Sequence, residues 1–407
     1  MQQGLSERAR RRGLAVMLAG TFLMWGGFFM VIPLISIHYV DDLGWAAGAI
    51  GLVLGIRQIT QQGLTLVGGM LADKLGPRWL IAIGMLIRAG SFVLMGYADS
   101  YPLLLLSAVL AALGGALFDA PSSAAIAALT NEENRSRFYS LLGIVSGLGM
   151  TIGPLAGALL LKTNFMLVAF VAAGCFFVAF WIVLLLMPSV QVASGLHGLT
   201  DGIVMALRDR RFMLFNLLLM GYWFMWVQIT ISLPLIARAI SGTSDAVSWV
   251  YALNAGMGIV LQYPLLWLAE RRLQPLQILV LGIVIMACGL GSIALAGDTM
   301  TLMLCVVLFA VGRLLASPAQ QTVAASMANP VALGSYFGVS ALALAVGGGI
   351  GNTSGGILYG LGHDIGAPML PWLLFGAAGL VCAIGLWLMS RNQQWIEQLE
   401  SKPVVVG

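Results

Sequence analysis

Asp119 is one of sixteen acidic residues in this chain and the one that lies deep inside an uninterrupted apolar run. A carboxylate in hydrocarbon persists only when it is paired, hydrated or protonated, so such a residue marks a place where chemistry is concentrated. Three basic residues are placed comparably deep: Arg57, Arg88 and Arg313. At about 1.5 Å of helical rise per residue from the charged ends of their runs, Asp119 lies roughly 16 Å deep, Arg88 about 14 Å and Arg57 about 23 Å. Either of the first two arginines therefore reaches the acid. Arg57 is the preferred partner, because Thr60, Gln61 and Thr65 follow it along one helical face as a polar stripe, whereas Arg88 has mostly apolar neighbours. Two kinds of chemistry fit the pair. One is a permanent ion pair that ties two helices together. The other is a proton switch, in which a change of distance or hydration makes the acid take up and release a proton. Asp41 and Asp42 stand at the end of the first apolar run and read as solvated.

Other chemistries find little material. The histidines, His38, His197 and His363, are scattered, and Cys175, Cys288, Cys305 and Cys382 all fall inside apolar runs with no metal-ligand spacing. No metal site, cofactor site or nucleophilic triad is expected, and the chain does not read as an enzyme. The net charge of +4 is spread over separate loops and forms no basic stripe, which argues against a nucleic-acid partner.

The elements that carry these residues follow from composition. At 60% hydrophobic and 9% charged residues, with a mean hydropathy of +0.96, the chain is far more apolar than a water-soluble domain. Twelve apolar segments lie near residues 14–38, 45–71, 79–98, 102–129, 137–161, 164–188, 211–240, 246–269, 275–297, 299–327, 333–361 and 369–390. Spans of this length are helices, since backbone groups in lipid must be satisfied within their own segment. The fold class is an all-α membrane protein with twelve transmembrane helices. Fifteen of the twenty basic residues, from Arg8 to Lys402, fall on one side of that topology, while Lys162 and Arg238 are left on the other. This bias puts both termini in the cytoplasm.

A shift of 197 residues places Ala72-Asp73-Lys74 on Ala269-Glu270-Arg271, Gly115 on Gly312, Pro121 on Pro318 and Tyr139 on Tyr336. A shared register for charged and helix-breaking positions points to two repeated halves, residues 1–188 and 211–407 with a short tail, joined by a polar linker at 189–210. In the fifth span, Gly149, Gly153, Pro154 and Gly157 place small residues on one face, where close helix contact is possible.

The stretch Gly69-Met70-Leu71-Ala72-Asp73-Lys74-Leu75-Gly76-Pro77-Arg78 resembles the loop signature between the second and third helices of the major facilitator superfamily of secondary transporters. The fifth-span glycines with Pro154 resemble the motif of that family's twelve-helix drug/proton antiporters. This resemblance implies two pseudo-symmetric six-helix halves and alternating access to a site between them. It also implies a gating role for Gly69, Asp73, Lys74, Gly76, Arg78 and Glu270. Because the first and seventh helices line the cavity in this family, it makes Trp25, Phe28, Phe29, Tyr222 and Trp226 candidate substrate surface, and the polar stripe with Gln61 on the second span and the face of Arg313 and Gln320 on the tenth join them as candidates. Aromatic residues in such helices also serve plain packing and interface anchoring. The implied function is proton-coupled efflux of lipophilic drugs across a bacterial inner membrane by a multi-pass monomer, with substrate, protons and the bilayer as partners and Asp119 and Arg57 as the coupling pair. Export or facilitated movement of a natural metabolite, sugar or lysolipid is the alternative. One departure stands out in the fourth span, where many such antiporters have an arginine four residues before a glycine; here Leu110 precedes Gly114.

Overall fold

The computed structural model describes residues 6–130, 132–189, 199–243, 245–329 and 333–391. Every element among them is helical: α1 (Glu7–Ser36), α2 (Ala47–Leu75), α3 (Pro77–Gly96), α4 (Tyr101–Leu129), α5 (Glu132–Leu161), α6 (Phe165–Leu186), α7 (Leu199–Arg208), α8 (Arg210–Trp226), α9 (Ser232–Ser241), α10 (Asp245–Glu270), α11 (Pro275–Ser292), α12 (Thr299–Met327), α13 (Leu333–Asp364) and α14 (Leu370–Ser390). Eleven helical stretches among the described residues are long and apolar enough to cross a bilayer. At 29 residues α2 also has the length. Its polar stripe of Arg57, Gln58, Gln61 and Gln62 lowers its hydropathy, and it supplies the twelfth span expected from the sequence.

The breaks come at residues that cannot continue a regular ladder. Pro33 interrupts α1, which ends in a wide π-turn over Ile37–Asp42. The seventh span is divided: α8 stops at Trp226, a short tight turn covers Val227–Ile229, and α9 restarts with Pro234 in its first turn. Gly76 has φ +79° directly before Pro77, the first residue of α3. A left-handed residue is needed to reverse the chain this sharply, and glycine takes it without a Cβ clash.

The described chain packs as two compact units. The first comprises Met1–Gly195, Ile229–Gly256 and Asn352–Ile357, the second Leu196–Gln228, Met257–Gly351 and Leu358–Gly407. Glycines set the closest helix approaches in both. In the first unit Gly84 of α3 and Gly114 of α4 face each other, and a Cβ on either would fall 2.5–2.7 Å from the other's carbonyl oxygen. In the second, Gly282 of α11 and Gly312 of α12 do the same, at 2.5–2.8 Å. These reciprocal pairs are related by a shift of 198 residues, one more than the register that aligns Pro121 with Pro318 and Gly115 with Gly312. Backbone packing therefore matches Gly312 to Gly114, one position from the sequence alignment.

Gly149, Gly153 and Gly157 run along α5 against α1: their Cβ positions meet Gly26 N at 2.9 Å, Gly26 O at 2.6 Å and Met30 O. In the second unit Gly347 and Gly351 of α13 lie the same way on α8, 2.5 Å from Met220 O and 2.7 Å from Phe224 O. Small residues are what let apolar helices approach this closely where lipid offers no hydrophobic drive for association.

Candidate functional site

The polar core of the first unit is built by α1, α2, α3 and α4. Arg57 and Gln61 are one turn apart on α2, so the guanidinium folds along its own helix and donates from Nη1 to Gln61 Oε1 at 2.9 Å. Its Nη2 donates to Gln58 Oε1 at 3.1 Å. The other end of the same amide, Gln61 Nε2, donates to Asp119 Oδ2 at 2.9 Å. Arg88 enters from α3, donating from Nη2 to Gln61 Oε1 at 3.4 Å and from Nε to the Ala111 carbonyl of α4 at 3.3 Å. Gly115, one turn before Asp119, leaves the room in which the Arg88 and Gln61 side chains meet.

Gln61 is thus the junction of the cluster. The sequence reading joined Arg57 to Asp119 directly and put Gln61 among cavity residues; no ion pair within 4.0 Å joins Asp119 to either arginine among the described residues. Arg88, the less preferred partner because its neighbours in sequence are mostly apolar, belongs to the cluster and is 2% exposed, against 6% for Arg57. Both guanidiniums lie over the Phe28 ring, at 5.1 Å for Arg57 and 5.2 Å for Arg88. An aromatic face with two cations against it accepts part of the charge that lipid would not.

Phe28 connects the charged cluster to the aromatic residues of α1. Trp25 stacks on Phe29 with ring centroids 5.6 Å apart and meets Phe28 edge-on at 6.4 Å, and Phe29 reaches Tyr251 at 5.6 Å. Of the expected cavity residues, Trp25, Phe28 and Phe29 therefore adjoin one another and Gln61 meets the acid, with the two arginines over Phe28 linking the groups. In the second unit Tyr222, Trp223 and Trp226 form an edge-to-face chain with centroids 4.8 and 5.8 Å apart. Arg313 is half-buried on α12, with Gln320 two turns further along the same face.

The loop signature is partly resolved into contacts. Arg78 Nη2 donates to Leu184 O in the last turn of α6, where a cation complements the helix dipole and an otherwise open carbonyl. Glu270 is exposed at the end of α10 and makes no ion pair within 4.0 Å among the described residues. The side chains of Asp73 and Lys74, and the surroundings of Gly69, lie outside the described residues. Pro154, inside the glycine face of α5, accepts a hydrogen bond on its carbonyl from Ser248 Oγ of α10 at 3.0 Å.

One group of charges was missed. Asp41 and Asp42 do not stand alone in solvent: Arg238 Nη2 of α9 lies 2.6 Å from Asp42 Oδ1 and Arg238 Nε 3.7 Å from Asp41 Oδ2. His38 Nδ1 is 3.7 Å from the second Asp42 oxygen. The sequence held a signal for this, since Arg238 and Lys162 are the two bases opposite the main basic side, and both meet acids; Lys162 Nζ lies 4.0 Å from Asp245 Oδ1.

Comparison with known proteins agrees with this architecture. The Major Facilitator Superfamily profile matches residues 17–352. The chain is 40% identical over 393 residues to the multidrug resistance protein MdtH of Yersinia enterocolitica, covering 97% of this chain and 98% of the relative. It is also 40% identical over 390 residues to MdtH of Yersinia pestis. Its fold is similar to a bacterial homologue of the human lysosomal transporter Spinster in an inward-facing, unoccupied conformation, with a TM-score of 0.84 at 14% identity over 97% of this chain and 99% of the other. A POT family transporter in complex with a thioalcohol-conjugated peptide is similar at a TM-score of 0.78 and 14% identity, over 93% and 96% of the two chains.

Proposed function

The chain belongs to the major facilitator superfamily, and we propose that this multi-pass membrane transporter exports lipophilic drugs from a bacterial cytoplasm in exchange for protons. The relatives at 40% identity that span nearly the whole chain are named as multidrug resistance proteins, which supports drug efflux as the direction and substrate class. Proton coupling rests on one observation: Asp119, the deep acid, is held by an amide that two arginines also hold. An amide can exchange partners at little cost when helices shift, so the acid's surroundings can differ between two states of the transporter.

In this reading the termini are cytoplasmic, and the six-helix halves 1–188 and 211–407 rock about the linker 189–210. Asp119 takes up a proton when open to the outside and releases it inside. The aromatic residues around Phe28, with Tyr222, Trp226 and Gln320, give varied lipophilic ligands a surface on which they can settle in several poses. The loop acids Asp73 and Glu270 hold the cytoplasmic gate. A natural amphipathic metabolite such as a lysolipid is the alternative substrate, favoured by Arg313, whose half-buried guanidinium suits an anionic or zwitterionic head.

Inside-out vesicles separate these readings. Uptake of a lipophilic fluorescent dye that rises several-fold when the lumen is acidified supports drug/proton exchange. Uptake that ignores the gradient removes proton coupling, and uptake of a lysolipid in place of the dye favours the alternative.

A further inference from the structure

At the end of the bundle remote from the N-terminus, three helix pairs meet within the first unit. Arg238 of α9 binds Asp42 at the end of α1. Ser248 of α10 donates to Pro154 O of α5. Gly51 of α2 lies against α13, its Cβ position 2.5 Å from Asn352 O, while Gly356 of α13 lies against Ala47 O. Each pair joins a helix from the first half of the sequence to one from the second.

Of these contacts, the Asp42 group alone is built from charge; a further ion pair between the two halves of the sequence, Lys162 Nζ to Asp245 Oδ1, is longer at 4.0 Å and more exposed, at 64% and 55%. Asp42 is held from two directions, by Arg238 through Oδ1 and by His38 through Oδ2. His38 is itself fixed, its ring stacked on Phe165 at the start of α6 with centroids 4.2 Å apart and planes 8° from parallel. The π-turn over Ile37–Asp42 brings Asp41 to the same arginine. Side-chain exposures of 27% for Arg238 and 37% for Asp42 leave the pair open to water, so it can break and re-form at modest cost. The glycine crossings and the Ser248 bond sit deeper and form only when the helices are already together.

From this arrangement we infer that Asp42 and Arg238, with Asp41 as second acceptor and His38 as the residue that positions Asp42, form a charged latch whose closure shuts this end of the transporter and whose opening is a step of the cycle. No comparison assigns these residues a role. The inference rests on the alternating-access reading and on the orientation that puts this end outside, but not on what is carried or on Asp119.

Ser248→Cys supplies a thiol at the closed α5–α10 contact, and its labelling by a membrane-impermeant maleimide added to whole cells reports opening without any substrate. The parent chain under the same reagent corrects for its own four cysteines. Adding Arg238→Gln or Asp42→Asn is expected to raise the labelling rate about two- to ten-fold, the population shift an ion pair of this exposure controls. The exchanged pair Asp42→Arg with Arg238→Asp should return the rate toward that of Ser248→Cys alone, which separates a latch from damage to the fold. His38→Ala should raise it less than either, as expected of a positioning residue. Equal labelling in all variants, with each inserted at parental level, would show the ion pair to be a surface contact without control of opening. A labelling change accompanied by loss of gradient-driven dye export keeps both readings; a labelling change with no dye export in the parent keeps the latch and removes the drug substrate.

Discussion

The carboxylate of Asp119 is met by an amide and not by a guanidinium: Gln61 Nε2 lies 2.9 Å from Oδ2, and Gln61 Oε1 is the acceptor through which Arg57 and Arg88 connect to the acid. If this acid carries the proton, Asp119→Asn removes accumulation driven by a pH gradient, because an amide has no proton to exchange. Downhill exchange survives. Vesicle uptake with and without the gradient measures both, and concentration of dye by the Asn variant would move the coupling group elsewhere.

Gln61→Leu should be more damaging than its conservative size suggests. It strips an acceptor from two buried guanidiniums and a donor from the acid, and an unmatched buried polar group costs about 1–3 kcal/mol each. Gradient-driven uptake should fall toward background, with a lowered melting temperature in detergent. Wild-type coupling in this variant would show that the arginines act on Asp119 without the amide.

Arg57 and Arg88 should separate by readout. Arg88 ties α3 to the Ala111 carbonyl of α4 and is the more deeply buried, so Arg88→Gln should lower thermal stability by about 1–3 kcal/mol as well as transport. Arg57 bonds within its own helix, to Gln58 and Gln61. Arg57→Gln should leave stability nearer the parent while shifting the pH dependence of uptake. The reverse ranking of the two melting temperatures would assign the structural tie to Arg57.

Gly153→Leu should abolish exchange. Its Cβ would stand 2.6 Å from Gly26 O, on the stretch of α1 that carries Trp25 and Phe28, so α5 must move away or the protein must refold around the branch. Overpacking costs about 1–3 kcal/mol in a core that can adjust, and backbone adjusts less than side chains. Transport at parental rate would show that α5 tolerates separation from α1.

Gly115→Ala tests the cluster with one methyl. The new Cβ falls where Arg88 Nη2 and the Gln61 amide now meet, 2.7 Å from Gln61 Cδ. Coupling should weaken more than expression, since the displaced groups are polar and face the acid. Unchanged gradient-driven uptake would mean the cluster has slack.

The spans, their number and the motif positions were legible because apolar length and charged turns are local properties. The predicted fourth, ninth and tenth segments, 102–129, 275–297 and 299–327, lie within two residues of the observed Tyr101–Leu129, Pro275–Leu295 and Thr299–Met327. The division of the seventh span was less visible, although Pro234 marks it. The linker read as polar chain contains α7, whose apolar and polar residues alternate at helical spacing over ten residues, too few to stand out. At the site, depth counting found Asp119 and both arginines. It could not find Gln61 as their junction, because a side-chain amide carries no charge to count and its partner is set by which way Arg57 folds along α2. The Asp42 and Arg238 pair was harder to read for a different reason: its members are 196 residues apart, and the one signal, a base on the otherwise base-poor side, names no partner.

The reciprocal glycine pairs place Gly114 on Gly312, and in that register Gly115 falls on Arg313, Arg88 on Met286 and Asp119 on Ser317. In the first half a guanidinium reaches from α3 into the gap beside a glycine of α4; in the second, the arginine grows from α12 itself, its Nη2 3.8 Å from where a Cβ on Gly258 of α10 would stand. The backbone crossing is alike in the two pairs while the cation differs in its point of attachment, and the acid has a serine as its counterpart. A symmetric scaffold therefore carries an asymmetric charge: one half holds an acid linked through Gln61 to two arginines, and the other holds Arg313 one turn before Ser317, the counterpart of that acid. If Asp119 carries the proton, the energy it delivers enters through the first half, and the second half responds.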